Sequence, residues 1–190
     1  RSGKATCQPG AYPNVSFEVA CKKAERGYFA NGHFQYVCPP GTFQPEEGMS
    51  SCEMCPAGQF SPGTSQTNVA SSCKACSSGQ HQPATNQVSC IDCSPGKYAS
   101  ASGSVKCSVC PSGHVSDRNG NDECIACGVG KHSNAALTEC HPCGLGTYNP
   151  EKGRESCSLC TAGFECKGGF QMRRCPPKTF SGLAAGSCTP

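Results

Sequence analysis

Seven C-x-x-C pairs carry most of the chemistry this chain could do: Cys52-Cys55, Cys73-Cys76, Cys90-Cys93, Cys107-Cys110, Cys124-Cys127, Cys140-Cys143 and Cys157-Cys160. Thiols at this spacing support three chemistries. As thiolates, two pairs separated by about thirteen residues satisfy zinc-ribbon spacing. Zinc modules, however, surround their ligands with Lys and Arg and rarely run through seven pairs in series. As a redox centre, C-x-x-C needs a thiol pKa lowered at a helix N-terminus, and no helical period runs through the chain. As disulfides, the first cysteine of each pair closes one loop and the second opens the next. Twenty cysteines in 190 residues exceed the density that marks a disulfide scaffold.

The remaining chemistry-bearing residues form no constellation. His81 and His132 fall where neighbouring segments place an aromatic ring, so packing accounts for them, while His33, His114 and His141 share no ligand spacing. No Ser-His-Asp or Cys-His arrangement stands out, so the chain reads as non-enzymatic, with no cofactor and no metal. "DRNGNDE", Asp117 to Glu123, has the alternating oxygens that begin a calcium loop, but the sixth place is Asp122 rather than Gly and no Glu follows at the twelfth. An Asn-Gly turn explains it. Asn14 opens "NVS", the one N-glycosylation sequon.

The elements that must position these residues are repeats. Ten segments share the frame C-x-x-G-x-aromatic: "CQPGAY", "CPPGTF", "CPAGQF", "CSSGQH", "CSPGKY", "CPSGHV", "CGVGKH", "CGLGTY", "CTAGFE" and "CPPKTF", mostly about 17 residues apart. Glycine holds the fourth place in all but the last, where Lys178 stands; Val115 and Glu165 replace the ring in two others. Gly48, Asn86, Gly103, Gly120 and Gly153 lie four residues before a closing cysteine, where a chain folding back needs positive φ. Each repeat therefore reads as a ragged hairpin whose ring stacks on a disulfide or on the next glycine turn, giving it a small core.

Pairing each opening cysteine with its closing partner gives Cys7-Cys21, Cys38-Cys52, Cys55-Cys73, Cys76-Cys90, Cys93-Cys107, Cys110-Cys124, Cys127-Cys140, Cys143-Cys157, Cys160-Cys166 and Cys175-Cys188. Around Cys160, Cys166 and Cys175 other pairings stay open, because sequence alone does not fix connectivity. A loop of about fifteen residues contributes roughly 3 kcal/mol in the chain-entropy model. The chain needs that contribution, having no Trp and only Leu137, Leu145, Leu159 and Leu183 as leucines and Ile91 and Ile125 as isoleucines, too little to build a conventional core. A net charge of +3 predicts neither nucleic-acid nor membrane-surface binding. Lys22, Lys23 and Arg26, and Arg173 with Arg174, read as solvated loop charges. No apolar run could span a bilayer. The chain begins "RSGKATC", without Met or a signal-like segment, and reads as a processed chain or a fragment.

Residues 22–37, "KKAERGYFANGHFQYV", interrupt the frame. Tyr28, Phe29, Phe34 and Tyr36 alternate around "NG", which predicts a hairpin. These aromatics are the candidate partner-binding residues. Three regions follow: 1–37, a first module plus this hairpin; 38–157, regular repeats; and 158–190, variant repeats with the short Cys160-Cys166 loop.

The frame "CPxGxF … C-x-x-C" resembles the ephrin-receptor-like cysteine-rich repeats of extracellular modular proteins, and is similar to the one-disulfide module of tumour necrosis factor receptors. The resemblance implies a small disulfide-rich repeat fold: an elongated rod of tandem one-disulfide hairpin-like modules, with short β-strands and essentially no helix. It carries over no catalytic or ligand-binding residue. The expected role is an extracellular or cell-surface structural or adhesive segment, a disulfide-laddered spacer or assembly module reached by the secretory pathway. Its partners would be other protein chains, copies of itself among them. The rival is a receptor-type ligand-binding module; an intracellular zinc protein is a third reading. Denatured but unreduced chain should show no thiol reactive to an alkylating reagent, before or after chelation. Alkylation appearing once metal is stripped would establish the zinc reading.

Overall fold

The computed structural model describes residues 6–14, 20–62 and 72–190. The four extra residues of the Cys55 to Cys73 loop, and Val15 and Ser16 of the sequon, lie outside the described residues. The described chain contains no helix; its regular structure is ten two-stranded hairpins with strands of two or three residues. Strands this short follow from the frame. A glycine turn opens each hairpin, a loop of small and polar residues closes it, and only the residues after the turn and between the C-x-x-C cysteines are left to pair. In one repeat Lys97 pairs with Val109 and Tyr98 with Ser108, and the next pairs His114 with Ala126 and Val115 with Ile125.

All twenty cysteines are joined in ten disulfides, each within its own repeat: Cys7–Cys21, Cys38–Cys52, Cys55–Cys73, Cys76–Cys90, Cys93–Cys107, Cys110–Cys124, Cys127–Cys140, Cys143–Cys157, Cys160–Cys166 and Cys175–Cys188. The chain forms two compact units, Arg1–Ile91 with Ala101–Lys106 and Asp92–Ser100 with Cys107–Pro190. Each is built by the same rules.

Within each unit, consecutive repeats are joined by backbone hydrogen bonds centred on the turn glycine. In the first unit, the Gly41 N–H donates to the Ser61 carbonyl of the next repeat (2.9 Å), while the Gly41 carbonyl accepts from the Cys55 N–H (2.9 Å). In the second unit, Gly96 donates to the Ser116 carbonyl (2.8 Å) and accepts from Cys110 (2.9 Å). A third bond runs back from the positive-φ residue of the closing loop to the preceding opening cysteine: Gly103 N–H to Cys76, Gly120 to Cys93 and Gly153 to Cys127, each 2.8 Å.

The turn glycine also faces the repeat after next. Gly113 has φ +81°, and a Cβ there would overlap the Gly153 carbonyl two repeats on; one on Gly96 would overlap the Ala136 carbonyl in the same way. Two constraints thus coincide at one residue: a left-handed backbone and a backbone carbonyl where a side chain would begin. Lys178, the one departure from glycine in the frame, keeps the left-handed backbone at φ 67°.

The interior differs from the sequence-based expectation. The ring positions, among them Phe43, Phe60, Tyr98 and Tyr148, are only half-buried. The opening cysteines, apart from the half-buried Cys175, and in most repeats the residue one past the ring are buried instead, the latter being Gln44, Ser61, Gln82, Ala99, Ser116, Ser133, Asn149 and Cys166. The reason is strand alternation, which turns that next side chain inward beneath the glycine turn. The polar ones there form hydrogen bonds. Gln44 Nε2 donates to the Ser51 carbonyl (2.8 Å) and Gln82 Nε2 to Ser89 (2.8 Å), bracing their own closing loops. Ser116 Oγ donates to the Lys97 carbonyl (3.0 Å) and Asn149 Nδ2 to Lys131 (2.6 Å), reaching back one repeat. Among the described residues, no buried side-chain nitrogen or oxygen lacks a partner, as polar side chains placed among cystines require.

Gly113→Ala should cost more than Gly163→Ala. Both impose left-handed strain of about 1–3 kcal/mol, but Gly163 at φ +83° has nothing within 4 Å of its added Cβ, whereas the Gly113 variant must also displace a backbone carbonyl. Urea unfolding with disulfides intact, together with amide exchange of the flanking repeats, reads the difference; equal losses would remove the second constraint.

Candidate functional site

The aromatic segment that interrupts the cysteine pattern keeps its backbone. Ala24 takes the place of the opening cysteine, Gly27 the turn glycine, Phe29 the ring and Ala30 the inward residue; Ala24 and Ala30 are fully buried. The Gly27 N–H donates to the Gln44 carbonyl (2.8 Å) and the Gly27 carbonyl accepts from Cys38 (2.9 Å), as in the other repeats. Tyr28 pairs with Val37, Phe29 with Tyr36 and Ala30 with Gln35, so Gln35 stands where a closing cysteine would. The Glu25 N–H donates to Gln35 Oε1 (3.2 Å), and this contact spans the gap a disulfide would bridge. The two-repeat rule holds only if residues 24–37 are counted: a Cβ on Gly10 would overlap the Gly48 carbonyl.

The paired rings lie on the other face of this hairpin, away from the place a disulfide would take. Phe29 and Tyr36 stack with centroids 5.4 Å apart, and Phe34 meets Tyr36 edge-on at 6.4 Å. Tyr28 is half-buried, while Phe34 and Tyr36 remain 61% and 42% exposed. The tip is rigid. Asn31 Oδ1 accepts from the His33 and Phe34 N–H groups (3.0 Å each), and the Gly32 carbonyl accepts from Cys7 (2.9 Å). Asn31 Nδ2 also donates to the Tyr36 hydroxyl (3.4 Å). Lys22 lies nearby and pairs with Glu25 at 2.6 Å; the hydrogen bond to that carboxylate raises the ammonium above the usual Lys range. The site is thus a hydrogen-bonded, partly solvent-facing aromatic patch.

Other residues singled out in the sequence lie elsewhere. Asn14 is exposed, and its N–H donates to the Ala20 carbonyl (3.0 Å). "DRNGNDE" is a repeat loop: Asn121 Nδ2 donates inward to Ser116 Oγ (2.7 Å), and the Asn121 carbonyl accepts from Ala99 (3.2 Å). Arg173 pairs with Glu165 and Arg174 with Phe164 across one hairpin. Register does bring together two histidines that sequence spacing separates, His132 and His141.

A family model described as tyrosine-protein kinase ephrin type A/B receptor-like matches residues 27–70, 96–135 and 130–168. The first match begins inside the cysteine-free module. No curated protein matches the chain at a significant level.

The double variant Ala24→Cys/Gln35→Cys should form an eleventh disulfide during oxidative folding, since opening and closing cysteines elsewhere hold Cα atoms 5.5–5.8 Å apart. Intact mass without reduction and loss of reactive thiol measure it. Two persistent free thiols would show that residues 24–37 are not a repeat.

Proposed function

Because the chain belongs to the ephrin-receptor-like cysteine-rich repeat family, we propose that it is a structural and adhesive segment of an extracellular protein, packing laterally against further copies of itself. Dense disulfides and this family together point to an extracellular, non-catalytic module. No helix of the described residues is long and apolar enough to cross a membrane.

The observation that supports self-packing is the outward face of the second strand in each repeat. The residues between the C-x-x-C cysteines are mostly exposed, and one of the two is repeatedly a large apolar side chain. On one face, opposite Thr42, Lys97 and Thr147, these are Met54 in the first unit and Val109 and Leu159 in the second, all at least half exposed; Ile91 and Ile125, one place earlier in their C-x-x-C pairs, project from the other face. A monomer rarely repeats exposed apolar side chains without a use. A surface with this period is matched by another surface with the same period, and a second copy supplies one.

The rival reading, a receptor-type module binding a protein ligand, draws support from Phe34 and Tyr36. Exposed aromatic side chains held on a rigid tip serve as interface anchors.

Sedimentation equilibrium over a concentration series separates the two. The chain should self-associate, and the triple variant Met54→Ser/Val109→Ser/Leu159→Ser should do so at least about tenfold more weakly, given roughly 1.5–3 kcal/mol per fully buried apolar side chain. A chain that stays monomeric throughout sinks the self-packing reading. The receptor reading expects Phe34→Ala and Tyr36→Ala to abolish capture of a soluble protein ligand while the disulfides stay intact.

A further inference from the structure

We propose that His132, His141 and Glu139 form a surface site for a divalent transition-metal ion of the zinc class, independent of the cysteines. The strands Lys131–Ser133 and Cys140–Pro142 pair with His132 directly opposite His141. In an antiparallel pair, opposed residues project from the same face with Cβ atoms about 4.5–5.5 Å apart. Their ring centroids lie 6.4 Å apart. Two imidazoles on one tetrahedral ion have centroids about 5 Å apart, so side-chain rotation must close this gap for both to share the metal.

The carboxylate is already close to its place. Glu139 Oε2 lies 3.5 Å from His141 Nε2. Two ligands bound about 2.1 Å from a tetrahedral ion sit about 3.4 Å apart. The backbone carrying Glu139 is fixed on both sides: Asn134 Oδ1 accepts from the Thr138 N–H (2.9 Å) and the Glu139 N–H (3.3 Å), while the Asn134 N–H donates to the Glu139 carbonyl (3.0 Å). Cys140, between Glu139 and His141, is tied to Cys127.

The hydrogen bond of His132 prepares the other imidazole. Its Nδ1 lies 3.0 Å from the Ser133 carbonyl. A carbonyl only accepts, so Nδ1 carries the proton and Nε2 keeps the lone pair that a metal needs. Ring packing alone does not require this arrangement. In other repeats the partner opposite the ring position is, for example, Ser108, Ser158, Glu53, Lys74, Ile125 or Arg173; among the described residues only this repeat opposes imidazole to imidazole. Two nitrogens and one carboxylate suit zinc, nickel or copper rather than calcium or magnesium. They leave a coordination position open for water or for a donor from another chain.

Isothermal titration of the whole disulfide-intact chain with ZnCl2 tests the assignment, using His141→Ala and Glu139→Gln as variants and His33→Ala as the control. One zinc per chain is expected, with affinity reduced at least about tenfold in both variants and unchanged in the control. Imidazole NMR signals of His132 and His141 should shift together on titration. Absence of stoichiometric uptake, equal affinity in His141→Ala, or shifts confined to other histidines would each overturn the site.

Discussion

The structure depends on one residue per repeat that has no side chain. The turn glycine gives its N–H to one point of the next repeat and its carbonyl to another, and its bare Cα lets a backbone carbonyl from the repeat after next lie against it, as Gly113 does with Gly153. Three successive repeats meet at that atom. A methyl group there would overlap that backbone carbonyl, which is why the frame admits so few alternatives to glycine at its fourth place. Stacking of this kind builds an array through contacts with the next repeat and the one after it.

Once the backbone has set the stacking, the interior needs little hydrophobic material. An opening cysteine and one inward side chain fill the space beneath each turn, and that side chain is as readily Gln, Ser or Asn as Ala. Each polar choice is tolerable because a carbonyl waits at a fixed distance: on the same repeat for Gln44 and Gln82, on the preceding one for Ser116 and Asn149. Cys166 occupies the same inward place, and its bond to Cys160 shows how near that place lies to the opening cysteine. Cross-links and satisfied hydrogen bonds take over from an apolar core, as expected where apolar side chains are too few.

The repeat fold was legible because its determinants are local and discrete: a cysteine, a glycine three residues on, a ring two further, and a positive-φ residue before the closing cysteine. What was hidden has a physical reason in each case. The module at residues 24–37 lacks cysteines, yet its signal, A-x-x-G-x-F-A, was present; the fold needs only a small buried residue at the opening place, and Ala24 meets that need as well as half a cystine. The inward residue was missed because rings are the conspicuous side chains and alternation turns the less conspicuous neighbour inside. His132 and His141 were separated by sequence spacing and joined only by register, which depends on where the hairpin turns. That register is the one the other repeats use, the ring position against the residue after the closing cysteine, and the one-residue-shorter loop between Cys127 and Cys140, turning at Leu137 with φ 59°, keeps it.

Both candidate sites fall on the same place in the frame. Phe29 against Tyr36 and His132 against His141 each pair the ring position with the residue that follows the closing one, where two side chains stand opposed on a short hairpin whose backbone is already fully engaged. In other repeats that pair is an aromatic against serine, glutamate or lysine, Val115 against Ile125, or Glu165 against Arg173, on the same stack. A scaffold held by backbone hydrogen bonds and disulfides leaves this pair free to change its chemistry without cost to the fold. Changing two residues can place an aromatic patch in one repeat and a set of metal donors in another. In a chain built this way, the conserved geometry of the turn makes the array, and the opposed pair is where an individual repeat acquires a function of its own.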